Sequence, residues 1–94
     1  MARFIYTDMP TVLRQNGFKV RIYTNDHLPS HVHVFKAEGE LIFALGSESE
    51  APRMVKELSP MNPSDARQAR VIVKEQQQYL LREWRKIHGN QKEV

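Results

Sequence analysis

The chain reads Asn16-Gly17-Phe18-Lys19-Val20-Arg21-Ile22-Tyr23 near its start, and this stretch indicates a β-hairpin. Asn-Gly is a strong signal for a tight turn between two antiparallel strands. After the turn, apolar and polar residues alternate, which is the pattern of a strand with one buried face. We therefore expect every second side chain, beginning with Phe18, to point into a core. The other face would carry Lys19, Arg21 and Tyr23.

A second alternating stretch, His31-Val32-His33-Val34-Phe35-Lys36, predicts another strand of the same sheet. On this strand the two valines face the core, so His31 and His33 lie side by side on the opposite face. His27 precedes them on an irregular connection that contains Pro29. The three histidines are the strongest candidates for a functional site, because imidazole exchanges protons near neutral pH and binds metal ions.

The rest of the chain extends this reading to a sheet and a helix. Four to five strands are expected, at residues 10–14, 18–23, 31–36, 41–45 and, as a short fifth strand, 54–58. Asn62-Pro63-Ser64-Asp65 has the residues of a helix start, with Asn62 as the cap. Apolar residues then recur at helical spacing, and Gly89 is suited to the end of the helix. The sequence thus predicts an α+β fold in which a small antiparallel sheet packs on one long C-terminal helix, from about Pro63 to His88.

Composition indicates one small globular domain. The chain has 94 residues, 40% hydrophobic and 27% charged, and we expect a single domain over residues 1–94 with a core at about 9–89 and flexible termini. No apolar run approaches the roughly 20 residues of a membrane helix, and the start lacks a signal-peptide pattern. We therefore expect a cytoplasmic protein with no membrane association. Cysteine is absent, which excludes disulfides and thiolate metal sites.

The charge balance makes nucleic acid a permissible partner. The formal net charge is +3 and the pI is about 9.5, a modest excess that does not require an acidic partner. If RNA binds, the cations and the aromatic residue beside the histidines are the candidates for contact: Lys19, Arg21, Tyr23 and Lys36. No phosphate-binding glycine loop is present, and we expect no cofactor.

Several short motifs together resemble a known bacterial family. They are Met9-Pro10-Thr11-Val12-Leu13, Gly17-Phe18, Tyr23-Thr24-Asn25-Asp26-His27 with Pro29, His31-Val32-His33-Val34, Gly39-Glu40 and a C-terminal helix ending near Trp84. In these motifs the chain is similar to the family catalogued as domain of unknown function 4160. The resemblance implies a small prokaryotic protein that is often encoded beside another small protein, in an arrangement like that of a toxin–antitoxin pair.

Three interpretations of His27, His31 and His33 remain open at this point. As acid–base groups, two imidazoles on one face would activate a ribose 2′-hydroxyl and protonate a leaving oxygen. As metal ligands, His31 and His33 would present two nitrogens to one ion, with His27 or Asp26 as a third ligand and Glu38 or Glu40 as further donors. As structural residues, they would stack on Tyr23 and Phe35 or form local hydrogen bonds.

Two functions from different classes follow from these interpretations. The first is a toxin–antitoxin-like component that acts on or binds RNA through a basic, histidine-rich sheet face. The second is a non-catalytic module whose exposed sheet edge or face binds a cognate small protein encoded nearby. A small His-x-His metal-binding protein is the remaining alternative.

Overall fold

The computed structural model describes residues 10–25 and 27–89, which form a five-stranded antiparallel sheet and two helices. The elements are β1 (Thr11–Gln15), β2 (Phe18–Arg21), β3 (His31–Lys36), β4 (Gly39–Ala44), β5 (Arg53–Ser59), α1 (Pro63–Glu75) and α2 (Gln77–His88). The strands lie in sequence order, each antiparallel to the next. The α+β class and the fifth strand are confirmed. The expected flexibility of the termini concerns residues that lie outside the described ranges.

The first hairpin has the turn that its sequence predicts. Asn16 and Gly17 both have positive φ angles, of 53° and 84°, and Gln15 pairs with Phe18 across the turn. Two consecutive positive φ angles define the type I′ turn, whose twist matches that of the flanking strands. The turn sets the register of β1 and β2, and the register decides which side chains enter the core.

The core lies between one face of the sheet and the two helices. The strand residues expected to point inward are buried: Phe18, Val20, Ile22, Val32 and Val34. They pack in one cluster with residues of the helical stripe, of which Ala69, Ile72, Val73, Leu80 and Trp84 are buried and Ile87 is half-buried. The cluster also contains Leu41, Phe43, Leu45, Met61 and Leu81.

The start of α1 forms as the sequence predicts. The side-chain Oδ1 of Asn62 accepts a hydrogen bond from the backbone N–H of Asp65 at 2.8 Å, and Pro63 occupies the first helical position. Just before the helix, Met61 lies so close to Gly39 that a Cβ on Gly39 would come within 2.7 Å of the Met61 side chain. Gly39 therefore permits the close approach of the helix start to the beginning of β4.

The prediction of one long C-terminal helix is wrong, because the structure has two helices that meet at Gln76. Gln76 has φ −102° and ψ 15°, outside helical geometry. Its side chain donates to Oε1 of Gln15 on β1 at 3.1 Å. The next side chain, Gln77, donates to the backbone carbonyls of Leu45, Ser47 and Glu50 at 2.7–2.9 Å. The apolar stripe continues through the break, which explains why periodicity alone predicts a single helix.

Neither α1 nor α2 has the length and apolar character needed to cross a membrane, and the described ranges contain no other helix.

Candidate functional site

One face of the sheet collects the residues that the sequence singles out. Directly paired residues on neighbouring strands point to the same side of a sheet, so the register defines this face residue by residue. We call it the histidine face. Its strand members are Thr11, Arg14, Lys19, Arg21, His31, His33, Phe35, Glu40, Ile42, Ala44, Arg53, Lys56 and Ser59. The helices contribute to the core on the opposite face.

Positive charge is concentrated on the histidine face. Among the strand residues that the register assigns to it, five are Arg or Lys and one is Glu. Arg14, Lys19, Arg53 and Lys56 are exposed. The single carboxylate, Glu40, is only 19% exposed and contacts a histidine. The histidine face is therefore more strongly cationic than the modest net charge of the whole chain indicates.

His33 lies at the base of this face rather than on its surface. Only 6% of the residue is exposed. Its ring stacks on Tyr23 with centroids 4.2 Å apart, and its Nδ1 lies 3.1 Å from Oε2 of Glu40. A carboxylate oxygen accepts, so Nδ1 carries the hydrogen of this contact. The predicted proximity of His33 and Tyr23 is thus confirmed, and burial keeps the ring away from a large ligand.

His31 is half-buried and lies nearer the surface. Its Nδ1 is 2.9 Å from the backbone carbonyl oxygen of Pro29, which can only accept, so Nδ1 is the donor. In the neutral ring, Nε2 is then the basic nitrogen. The centroid of the ring is 5.6 Å from that of His33 and 5.4 Å from that of Trp84.

Two residues of α2, Trp84 and His88, lie next to this site, and the sequence analysis did not predict their position there. Their rings stack with centroids 3.9 Å apart, and Trp84 in turn contacts His31 at the start of β3. The spacing of four residues on a helix is the signal that could have paired them. Nε2 of His88 is buried and has no hydrogen-bond partner among residues 10–25 and 27–89.

A pocket of about 580 Å³ opens beside His31. Its apolar wall consists of Leu28, Pro29, Ile42, Ala44 and Val55. Four polar side chains complete it: Asn25, His27, His31 and Arg53. The structure therefore brings His27 and His31 to one cavity. Arg53 joins them because β5 lies beside β4, a relationship that the local sequence does not reveal.

A smaller groove of about 330 Å³ lies at the hairpin end of the sheet and is lined by Gly17, Lys19, Arg21, Phe35, Lys36 and Ala37. The Arg21 guanidinium lies 5.2 Å from the Phe35 ring centroid and donates to Oγ1 of Thr11 at 3.1 Å. The ammonium of Lys36 instead contacts the Phe18 ring at 4.4 Å and Asp65 at 3.5 Å. Lys36 is thus engaged on the core side, while Lys19 remains exposed.

No group of three His, Asp or Glu side chains suited to a metal ion occurs within the described part of the chain. Of the ligands considered for the metal interpretation, Asp26 lies outside that part. Glu40, considered as a further donor, instead accepts the Nδ1 hydrogen of His33.

Comparison with known proteins identifies the family. The family profile described as Domain of unknown function (DUF4160) matches residues 17–85. The match covers more than half of the chain, and the protein belongs to this family. A search of curated proteins and a search of solved structures found no match.

Proposed function

We propose that this protein binds single-stranded RNA on its histidine face. The observation that carries the proposal is the charge of that face, whose strand residues include five Arg or Lys side chains and one carboxylate. Phosphates dominate the affinity of proteins for nucleic acids, so a surface rich in cationic side chains is the first requirement for such binding.

The aromatic content of the face favours a single strand over a duplex. Phe35 is half-buried and has the Arg21 guanidinium over its ring. Unpaired bases stack on aromatic rings and on guanidinium planes, and duplex bases are not available for this contact. The groove around Phe35 and the pocket around His31 lie on the same face, so one strand could occupy both.

The histidines add acid–base chemistry to the proposed binding. A neutral imidazole at His31 would take the proton of a ribose 2′-hydroxyl through Nε2, and the 2′-oxygen would attack the adjacent phosphorus. His27, charged, would give a proton to the 5′-oxygen that leaves. The products are a 2′,3′-cyclic phosphate and a 5′-hydroxyl. His33, buried against Glu40, would support the ring of His31 without touching RNA.

Binding is tested by fluorescence anisotropy of a labelled RNA oligonucleotide at several salt concentrations. Lys19→Gln with Arg14→Gln should weaken binding roughly tenfold and flatten the slope of log K against log salt by about 1.4, from about 0.7 per phosphate contact. The matched control is Arg70→Gln with Lys74→Gln, which removes the same two residue types from exposed positions on α1. Equal losses in both double variants would contradict the proposal, and cleavage of a DNA oligonucleotide that lacks 2′-hydroxyl groups would argue against the 2′-hydroxyl chemistry.

A second candidate function is supported by the edge strand β5. Three of its side chains are exposed although they are large and apolar, namely Met54, Val55 and Leu58, at 42–46%. An exposed apolar edge is typical of a surface that pairs with another chain. In this alternative the protein is a non-catalytic module that binds a cognate small protein.

Growth on expression separates the two candidates in the toxin–antitoxin-like setting that the family resemblance implies. Toxicity that disappears in the His31→Asn variant, with the protein still folded, supports action on RNA. Harmless expression, together with tight binding of the product of the neighbouring gene, supports the partner-binding function.

A further inference from the structure

We infer that the pocket beside His31 accepts one nucleotide, with its base against the apolar wall and its phosphate at Arg53. The inference rests on the proposed function and gives its site a ligand of defined chemistry. The observation behind it is that the pocket has an apolar side and a polar side: five of the described residues that line it are apolar and four are polar.

The apolar side suits a nucleobase. Ile42, Ala44 and Val55 come from the neighbouring strands β4 and β5, and Leu28 and Pro29 line the pocket from the loop before β3. A base is flat and has apolar faces, and it gains by leaving water for such a surface. The imidazoles of His27 and His31 add rings on which a base can stack. The volume of about 580 Å³ falls within the range of small-ligand pockets.

The polar side suits a phosphate and the edge of a base. Arg53 is exposed, and no ion pair joins it to a carboxylate within residues 10–25 and 27–89. Its guanidinium can therefore bind two phosphate oxygens at once without losing an existing partner. The amide of Asn25 has both a donor and an acceptor for the edge of a base. Among the residues of ranges 10–25 and 27–89 that line the pocket, none is a carboxylate.

The geometry distinguishes this pocket from the groove at Lys19 and Arg21. The groove is smaller and half of its lining residues are cationic, which suits a surface that follows a phosphate backbone. The pocket is larger, and its apolar wall can receive a base that has turned out of the strand. The groove would supply affinity for any single strand, and the pocket would hold one nucleotide beside the histidines.

The direct test is to titrate the full chain with adenosine 5′-monophosphate or uridine 5′-monophosphate and to measure the heat of binding by calorimetry. Adenosine and inorganic phosphate serve as probes for the two halves of the ligand. We expect saturable binding of the nucleotides and weaker binding of each half. Arg53→Gln should lower nucleotide affinity about tenfold through the loss of a bidentate contact. Ala44→Phe, which fills the apolar wall, should abolish binding. Arg70→Gln is the control, since this exposed cation of α1 does not line the pocket and should change affinity less than twofold.

The same variants separate this inference from the proposed function. The pocket assignment would be overturned if the protein binds an RNA oligonucleotide but no mononucleotide, and if neither Arg53→Gln nor Ala44→Phe changes its affinity for the oligonucleotide. That result would leave RNA binding itself intact. Loss of oligonucleotide affinity in both variants assigns the pocket to a nucleotide within a strand. Loss of mononucleotide binding alone assigns it to free nucleotides. Arg53 is exposed, so its variant should fold even if Ala44→Phe does not.

Discussion

Nδ1 of His33 lies 3.1 Å from Oε2 of Glu40, and this contact joins β3 to β4 beneath the histidine face. The His33 side chain is 7% exposed and that of Glu40 is 19% exposed, so both partners have left most of their water. A polar pair in such a position costs free energy when one partner is removed and the other stays buried. The contact therefore holds the site together and also makes its stability sensitive to substitution.

Glu40→Ala should lower the free energy of unfolding by about 1–3 kcal/mol, because the Nδ1 hydrogen of His33 loses its acceptor in a buried position. Glu40→Gln keeps an amide oxygen at the same place and should cost less. Urea denaturation of both variants measures the difference. Equal stability of the wild type and Glu40→Ala would show that the contact contributes nothing to folding.

His31→Asn should leave RNA binding within about twofold of wild type and remove cleavage. The asparagine amide can still donate to the Pro29 carbonyl from the position of Nδ1, but it has no basic nitrogen in place of Nε2. A general base acts in the transition state rather than in ground-state binding. Cleavage is measured on a DNA oligonucleotide that contains one ribonucleotide, so that the cyclic phosphate end can be identified. Undiminished cleavage in His31→Asn would remove His31 from the mechanism.

Leu80→Ala should lower the free energy of unfolding by about 2–5 kcal/mol, the usual cost of a large cavity in a core. Leu80 is fully buried at the start of α2. Val71→Ala on α1 is the control, since Val71 is 47% exposed and its truncation should change stability by less than about 0.5 kcal/mol. A loss well below 1 kcal/mol in Leu80→Ala would mean that α2 does not depend on the sheet for its packing.

Gln77→Ala should destabilise the protein by about 1–2 kcal/mol, since one side-chain amide donates to three backbone carbonyls of the segment after β4. Gln78→Ala is the matched control, because Gln78 is exposed and adjacent. Hydrogen exchange of the segment from Leu45 to Glu50 reports the effect locally. We expect faster exchange there in Gln77→Ala alone, and equal exchange in the two variants would contradict the anchoring role of Gln77.

Local sequence was sufficient for much of the fold. Asn16-Gly17 predicted the hairpin because two positive φ angles suit these residues, and alternation after Phe18 predicted which side chains are buried. Alternation also placed His31 and His33 on one face, with their ring centroids now found 5.6 Å apart. These features depend on residues close together in the chain. Their backbone preferences and the alternation of apolar and polar residues are therefore enough to predict them.

What the sequence did not reveal depends on contacts between distant residues. The break at Gln76 is stabilised by Gln15 on β1, 61 positions earlier, and no proline or glycine marks it. Arg53 reaches the pocket only because β5 pairs with β4. The burial of His33 likewise follows from Tyr23 and Glu40, which come from outside its own strand. In each case contacts between residues far apart in the chain determine where a residue lies, and the local sequence pattern does not predict it.

The most direct test of RNA binding on the histidine face is to map which backbone amides shift in the nuclear magnetic resonance spectrum when a short oligouridine is added. The account predicts that the largest shifts lie on β2, β3 and β5, including Lys19, His31 and Arg53, with little change on the outer surface of α1 around Arg70. Shifts concentrated on α1, or no shifts at low salt, would contradict it.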